Sequence, residues 1–144
     1  MIKAAGACII AKDTKRIILQ QRDKHSSHPR NWGFWGGKVE EDENISQALL
    51  REVCEELRVN IKKDVVKIYP LDQYHSRNKD FSYYSFVIVI KKEFIPRLNH
   101  ESGGYAWVEH EYFPKPLHPG TRRTLFKKNK LKAVSYTHLR AHET

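Results

Sequence analysis

The chain is poor in cysteine, in methionine and in long apolar runs. Cys8 and Cys54 are the only cysteines among 144 residues, and Met1 is the only methionine. Two isolated cysteines, one inside a predicted helix, are expected as reduced core residues, which excludes a disulfide-stapled scaffold and points to a reducing, cytoplasmic compartment. The longest apolar run, Phe86 to Ile90, falls far short of the ~20 residues a membrane helix needs, and Met1-Ile2-Lys3-Ala4 lacks the apolar core of a signal peptide. No membrane partner is expected. Acid is in deficit too: 17 Asp and Glu face 26 Lys and Arg, for a formal charge of +9. Seven of those basic residues lie after Gly120, against the single acid Glu143. An excess gathered at one end, without interleaved aromatics, suits loose attraction to polyphosphate better than a dedicated nucleic-acid surface.

With 40% apolar residues the chain can bury one sizeable core, as expected of one domain of this length. Lys3 to Ala11 and Arg16 to Arg22 read as strands joined at Asp13-Thr14-Lys15 into a hairpin. The stretch 23–31 is polar and aperiodic, a loop, and the aromatic, glycine-rich run Trp32 to Gly37 follows. A helix should begin at Asn44, a strong N-cap, with Gln47 completing a capping-box pair. Leu49, Leu50, Val53 and Leu57 recur at helical spacing. Residues 65–69, 73–74, 81–91 and 105–109 read as strands. Pro114, Pro116 and Pro119 mark a loop, and 120–131 reads as a basic helix packed through Leu125, Phe126 and Leu131. Mixed strands around one interior and one late helix define an α/β (α+β) domain over residues 1–133. The segment 134–144 continues no pattern, is similar to translated sequencing-adapter readthrough, and is expected to be an artefactual or disordered tail.

The chemistry concentrates between Gly37 and Val59. Glu52, Glu55 and Glu56 are related by i, i+3 and i+4, so one side of the helix collects all three carboxylates. Like charges so placed cost roughly 0.2–0.5 kcal/mol per pair in an isolated helix. A hard cation resolves that repulsion, and oxygen ligands suit Mg²⁺ or Mn²⁺. A solvated acidic face is the bland alternative.

The flanking residues change that balance. Gly37, Glu43, Arg51, Glu52, Val53, Glu55, Glu56 and Val59 fall at the spacings of the Nudix box: Gly, five residues, Glu, seven residues, Arg-Glu, an aliphatic, any residue, Glu-Glu, any residue, Gly, an aliphatic. The chain therefore resembles the Nudix hydrolases, and its NWGFWGGKVEEDE run resembles the nucleotide-pool-cleaning branch that includes oxidised-purine nucleoside triphosphatases. The resemblance implies a mixed β-sheet sandwiched between the box helix and a C-terminal helix. It implies Mg²⁺ (or Mn²⁺) as cofactor, with Glu52, Glu55, Glu56 and the Gly37 carbonyl as ligands. Arg51 would orient a glutamate by a charge-assisted bond, with Glu43 as its structural partner. Water would attack a phosphorus of an anhydride without a covalent intermediate. Glu101, in a loop before a late strand, is the candidate general base, with Glu52 as the alternative. Arg22, Trp35, Lys38, Tyr83 and His118 are the candidate substrate contacts. Trp32, Phe34 and Trp35 would stack on a base or fill core.

One position departs from the pattern. Arg58 stands where the family has glycine, so either it takes a left-handed conformation at a cost of about 1 kcal/mol, or the helix runs on and Asn60 makes the exit.

The expected partner is a small nucleotide, as a nucleoside triphosphate cut to monophosphate and pyrophosphate. Sugar nucleotides, dinucleoside polyphosphates and capped RNA stay open, with the protein a monomer or homodimer. A non-catalytic nucleotide sensor is the reading from another class; such domains usually lose box glutamates, and this chain keeps them.

Overall fold

Small side chains dominate the first strand, β1 (Ile2–Ala11, IKAAGACIIA), and from Ala4 onward every residue of it is buried. A strand covered on both faces reads as a continuous apolar run, and β1 lies at the centre of the sheet. The structure, a computed structural model, describes residues 1–58 and 60–127. Val59, the end of the expected late helix and the 134–144 segment lie outside the described residues.

Along one edge β1 pairs in parallel with β6 (Phe81–Ile90), from Ile2↔Phe81 to Ala11↔Ile90. Its other edge is shared. The second half forms the expected hairpin with β2 (Ile17–Arg22), and the first half pairs with β4 (Trp35–Lys38), Ala4↔Lys38 to Ala7↔Trp35. A short β3 (Trp32–Gly33) and β7 (Ser102–Val108) flank β2, and β5 (Val65–His75) closes the far side against β6. The aromatic-glycine run thus contains two short strands. Residues 65–69 and 73–74 are two parts of one strand, broken in register between Pro70 and Asp72. Proline is tolerated there because β5 is an edge strand.

The sheet is covered on both faces, as the sandwich expectation required. Helix α1 (Ile45–Leu57) sets Leu49, Val53 and Leu57 on a cluster with Ala5, Ala7, Ile9, Ile18, Trp35 and Ile88. Burying such side chains stabilises by about 1.5–3 kcal/mol each. Helix α2 (Pro119–Phe126) covers the other face, where Leu125 meets Cys8, Ile10, Leu19, Val87 and Val89. Both cysteines are free, and burial raises the Cys8 thiol to about 12. No described helix is long and apolar enough to cross a membrane.

The ends of α1 fix its phase, and with it the direction of its carboxylates. Asn44 Oδ1 accepts from Gln47 N at 2.8 Å and Gln47 Oε1 accepts from Asn44 N at 2.8 Å, the capping box expected from the sequence. Of the two exits, the chain takes the first: Arg58 is left-handed at φ 52°, ψ 32°, and its N–H donates to Cys54 O at 2.8 Å. Asn60 caps instead the following 3-10 turn, Ile61–Asp64.

Candidate active site

Helix α1 crosses β4 so that its acidic side meets the Gly36-Gly37 backbone. Arg51 organises this side. Its Nε and Nη2 fork onto the Glu43 carboxylate at 3.1 and 2.6 Å, its Nη2 also donates to Lys38 O at 3.1 Å, and its Nη1 donates to Glu52 Oε1 at 2.8 Å. Arg51 is thus bonded to both Glu43 and Glu52. Its hydrogen bond to Glu43 raises the guanidinium above its ordinary value, and the same bond lowers the Glu43 carboxyl.

Glu52 lies against Gly37. A Cβ added there would stand 2.5 Å from Glu52 Oε2 and 2.8 Å from Oε1, so the glycine makes the room the carboxylate uses. Glu56 is 3% exposed. Its Oε2 accepts from Gln20 Nε2 at 2.8 Å and its Oε1 from Gly36 N at 2.7 Å. Both donors are neutral, and burial pushes this carboxyl up to about 8, helped by the negative fields of Glu101 and Glu52. Glu52 is raised in the same direction, chiefly by burial. Glu55 differs: its side chain is 59% exposed and, among the described residues, reaches Arg51 Nη1 at 3.5 Å.

Among the described residues no group of three or more His, Cys, Asp or Glu side chains is arranged to hold a metal ion. Glu52 and Glu56 point inward while Glu55 is turned toward solvent beside Arg51. The donor set still fits a hard divalent cation. It offers carboxylate oxygens beside a glycine cradle, and a buried carboxyl whose hydrogen bonds come only from neutral groups.

The remaining candidates divide. Glu101 is exposed, and its field reaches both Glu52 and Glu56 from the start of β7, so the fold brings it to the site's edge. Arg22 ends β2 with its guanidinium held by Ser27, Nε to the carbonyl at 2.8 Å and Nη2 to Oγ at 2.9 Å. Tyr83 lays its hydroxyl over Gly6, on the sheet face that α2 covers, and burial raises its phenol well above the ordinary range. His118 caps α2, its Nδ1 accepting from Gly120 N at 3.1 Å, and its ring meets His28 edge-on at 4.7 Å. Lys38 is exposed at the end of β4. Trp35 is a correction. It is 0% exposed, and its Nε1 donates to Ile18 O at 3.0 Å, so it fills the core and stacks on no substrate. The sequence reading missed Gln20 and Ser102, whose Oγ accepts from Gln20 Nε2 at 2.7 Å. The only sequence signal for Gln20 is a polar residue at a core-facing position of a strand.

This fold and this arrangement of glutamates define a class. The model of the NUDIX domain matches residues 2–128, and the chain belongs to the Nudix hydrolase family. Among similar proteins, CTP pyrophosphohydrolase of Escherichia coli (strain K12) is 51% identical over 53 residues, covering 37% of this chain and only 38% of that relative. Nucleoside triphosphatase NudI of Escherichia coli O139:H28 is 27% identical over 126 residues, covering 81% of this chain and 89% of that relative. In structure the chain is similar to the Nudix hydrolase RenU of M. Smegmatis, with a TM-score of 0.76, 21% identity, and coverage of 94% of this chain and 86% of that one. It is also similar to a MutT Nudix hydrolase of Burkholderia pseudomallei, with a TM-score of 0.66, 25% identity, and coverage of 86% and 95%.

Proposed function

We propose that this protein hydrolyses a phosphoanhydride bond of a nucleoside triphosphate, releasing a monophosphate and pyrophosphate. The observation that carries the reading is the pair of inward carboxylates, Glu52 in its Gly37 cradle and buried Glu56, on a helix whose register Arg51 and Glu43 lock. Glu52 and Glu56, with Glu55 and the Gly37 carbonyl, would hold Mg²⁺ or Mn²⁺, which when bound neutralises phosphate charge and makes water a better nucleophile. Arg51 keeps Glu52 oriented through its charge-assisted bond. Glu101 accepts the proton of the attacking water as the water oxygen bonds to phosphorus, and the bond to the leaving pyrophosphate breaks. Arg22 and Lys38 meet phosphate charge, while Tyr83 and His118 face the base.

The activities for which the relatives are named support a triphosphate: a CTP pyrophosphohydrolase, a nucleoside triphosphatase, and a dihydroneopterin triphosphate diphosphatase of Haemophilus influenzae that is 28% identical over 113 residues. The test is product analysis over a panel of pyrimidine, purine and oxidised-purine triphosphates, nucleotide sugars and dinucleoside polyphosphates, with and without Mg²⁺. Pyrophosphate release from one or more triphosphates is expected. Tight nucleotide binding with no turnover of any compound would replace the enzyme with a sensor.

A further inference from the structure

Gln20 is polar, yet only 5% exposed, and its amide reaches two groups distant in sequence. Its Nε2 donates to Glu56 Oε2 at 2.8 Å and to Ser102 Oγ at 2.7 Å. The atom that faces both partners is the amide nitrogen, whose two N–H groups are donated one to each. Ser102 arrives there through an irregularity of β7. Gly104 pairs with Gln21 and Ser102 with Arg22, leaving Gly103 as an extra residue in the ladder. Such a bulge re-aims the side chain beside it. Here it turns Ser102 to the face that Gln20 shares with α1. The residue before Ser102 is Glu101.

We infer that Gln20 is a positioning residue for the hydrolysis, a two-armed tether between Glu56 on α1 and the Glu101 loop. One N–H fixes the Glu56 carboxylate, the other fixes Ser102, and the spacing between the metal-holding side and the Glu101 side follows from a single amide. This inference rests on the hydrolase reading. The loop keeps other anchors, because Glu101 N donates to Asn99 Oδ1 at 2.9 Å and Asp23 N to Glu101 O at 3.3 Å. Cutting the Ser102 arm alone therefore has a smaller effect than removing the amide.

The experiment compares wild type, Gln20→Leu and Ser102→Ala. It reads steady-state kinetics on the best triphosphate and Mn²⁺ binding to the free protein by electron paramagnetic resonance. Partners behind metal ligands typically change metal affinity by about 10–100-fold. Gln20→Leu is expected to lower kcat by about tenfold or more with KM nearly unchanged, the signature of a lost transition-state interaction, and to weaken Mn²⁺ binding by about tenfold. Ser102→Ala is expected to lower kcat by roughly threefold and leave Mn²⁺ binding alone, since it cuts only the loop arm. Wild-type kcat and Mn²⁺ affinity in Gln20→Leu would overturn the inference. If Gln20→Leu melts early, Ser102→Ala decides: a kcat equal to wild type overturns the tether. If the wild type turns over no nucleotide, the hydrolase reading fails by itself, and the Mn²⁺ measurement still decides whether Gln20 positions Glu56.

Discussion

Replacing Gly37 by alanine adds one methyl carbon at the centre of the site. That carbon would stand 2.5 and 2.8 Å from the two Glu52 carboxylate oxygens, where ordinary contact is 3.4–4 Å. The carboxylate must therefore retreat by about 1 Å. It lies at the far end of a flexible side chain, so the backbone need not follow and the fold should survive. The retreat breaks or stretches the 2.8 Å bond from Arg51 Nη1. A misplacement of about 1 Å at a reacting centre can cost about 10²-fold in rate. The expected result is a kcat lowered by about 10²-fold, with a melting temperature close to wild type. Gly36→Ala supplies the contrast. Its Cβ would strike the Ala5 carbonyl, at a backbone φ of +155°, so the damage there is to stability. A Gly37→Ala protein whose kcat stays within threefold of wild type would refute the claim that Glu52 works from this cradle.

Arg51→Lys replaces a fork by a single ammonium, which cannot serve Glu43 and Glu52 together; kcat should fall roughly tenfold while circular dichroism shows the helix intact, and an unchanged rate would remove Arg51 as an orienting group. Arg58→Gly removes the strain of a side chain at φ 52° and should raise stability by roughly 0.5–1 kcal/mol in urea unfolding; a lower midpoint would contradict the left-handed exit. His118 is held down to about 4 from 6.5, by burial first and then by the neighbouring positive charges of Arg22, His28 and Arg123. The unfolded chain takes up this proton below about pH 6.5 and the folded chain only near 4, so the stability it contributes is present above 6.5 and lost between 6.5 and 4. Urea midpoints at pH 7 and 5 should therefore fall more for wild type than for His118→Asn, which caps without titrating; equal falls would exclude His118 as the cause.

Local rules made the acidic helix legible. Asn44 and Gln47 announce its start within one turn, and the spacing of Glu52, Glu55 and Glu56 assigns them one side before any tertiary contact is known. Its end was legible only as a choice, because the strain at Arg58 competes with packing that sequence does not reveal. The role of Trp35 was open for the same reason: an indole beside glycines serves a ligand or a core equally well, and its bond to Ile18 O decided it. Gln20 was out of reach. Its partners lie 36 and 82 residues away, and one depends on a bulge at Gly103 that no local preference marks. The orientation of Glu55 was also illegible, since an exposed side chain follows solvent and its neighbours more than its place on the helical wheel.

The most direct measurement is pyrophosphate release from a nucleoside triphosphate as Mg²⁺ is titrated into wild type and into Glu56→Gln. The expected result is saturable Mg²⁺-dependent release by wild type and a loss of about 10²-fold or more in a Glu56→Gln protein that still melts cooperatively. Equal release by the two proteins at every Mg²⁺ concentration would contradict the claim that the inward carboxylates of α1 are the seat of the chemistry.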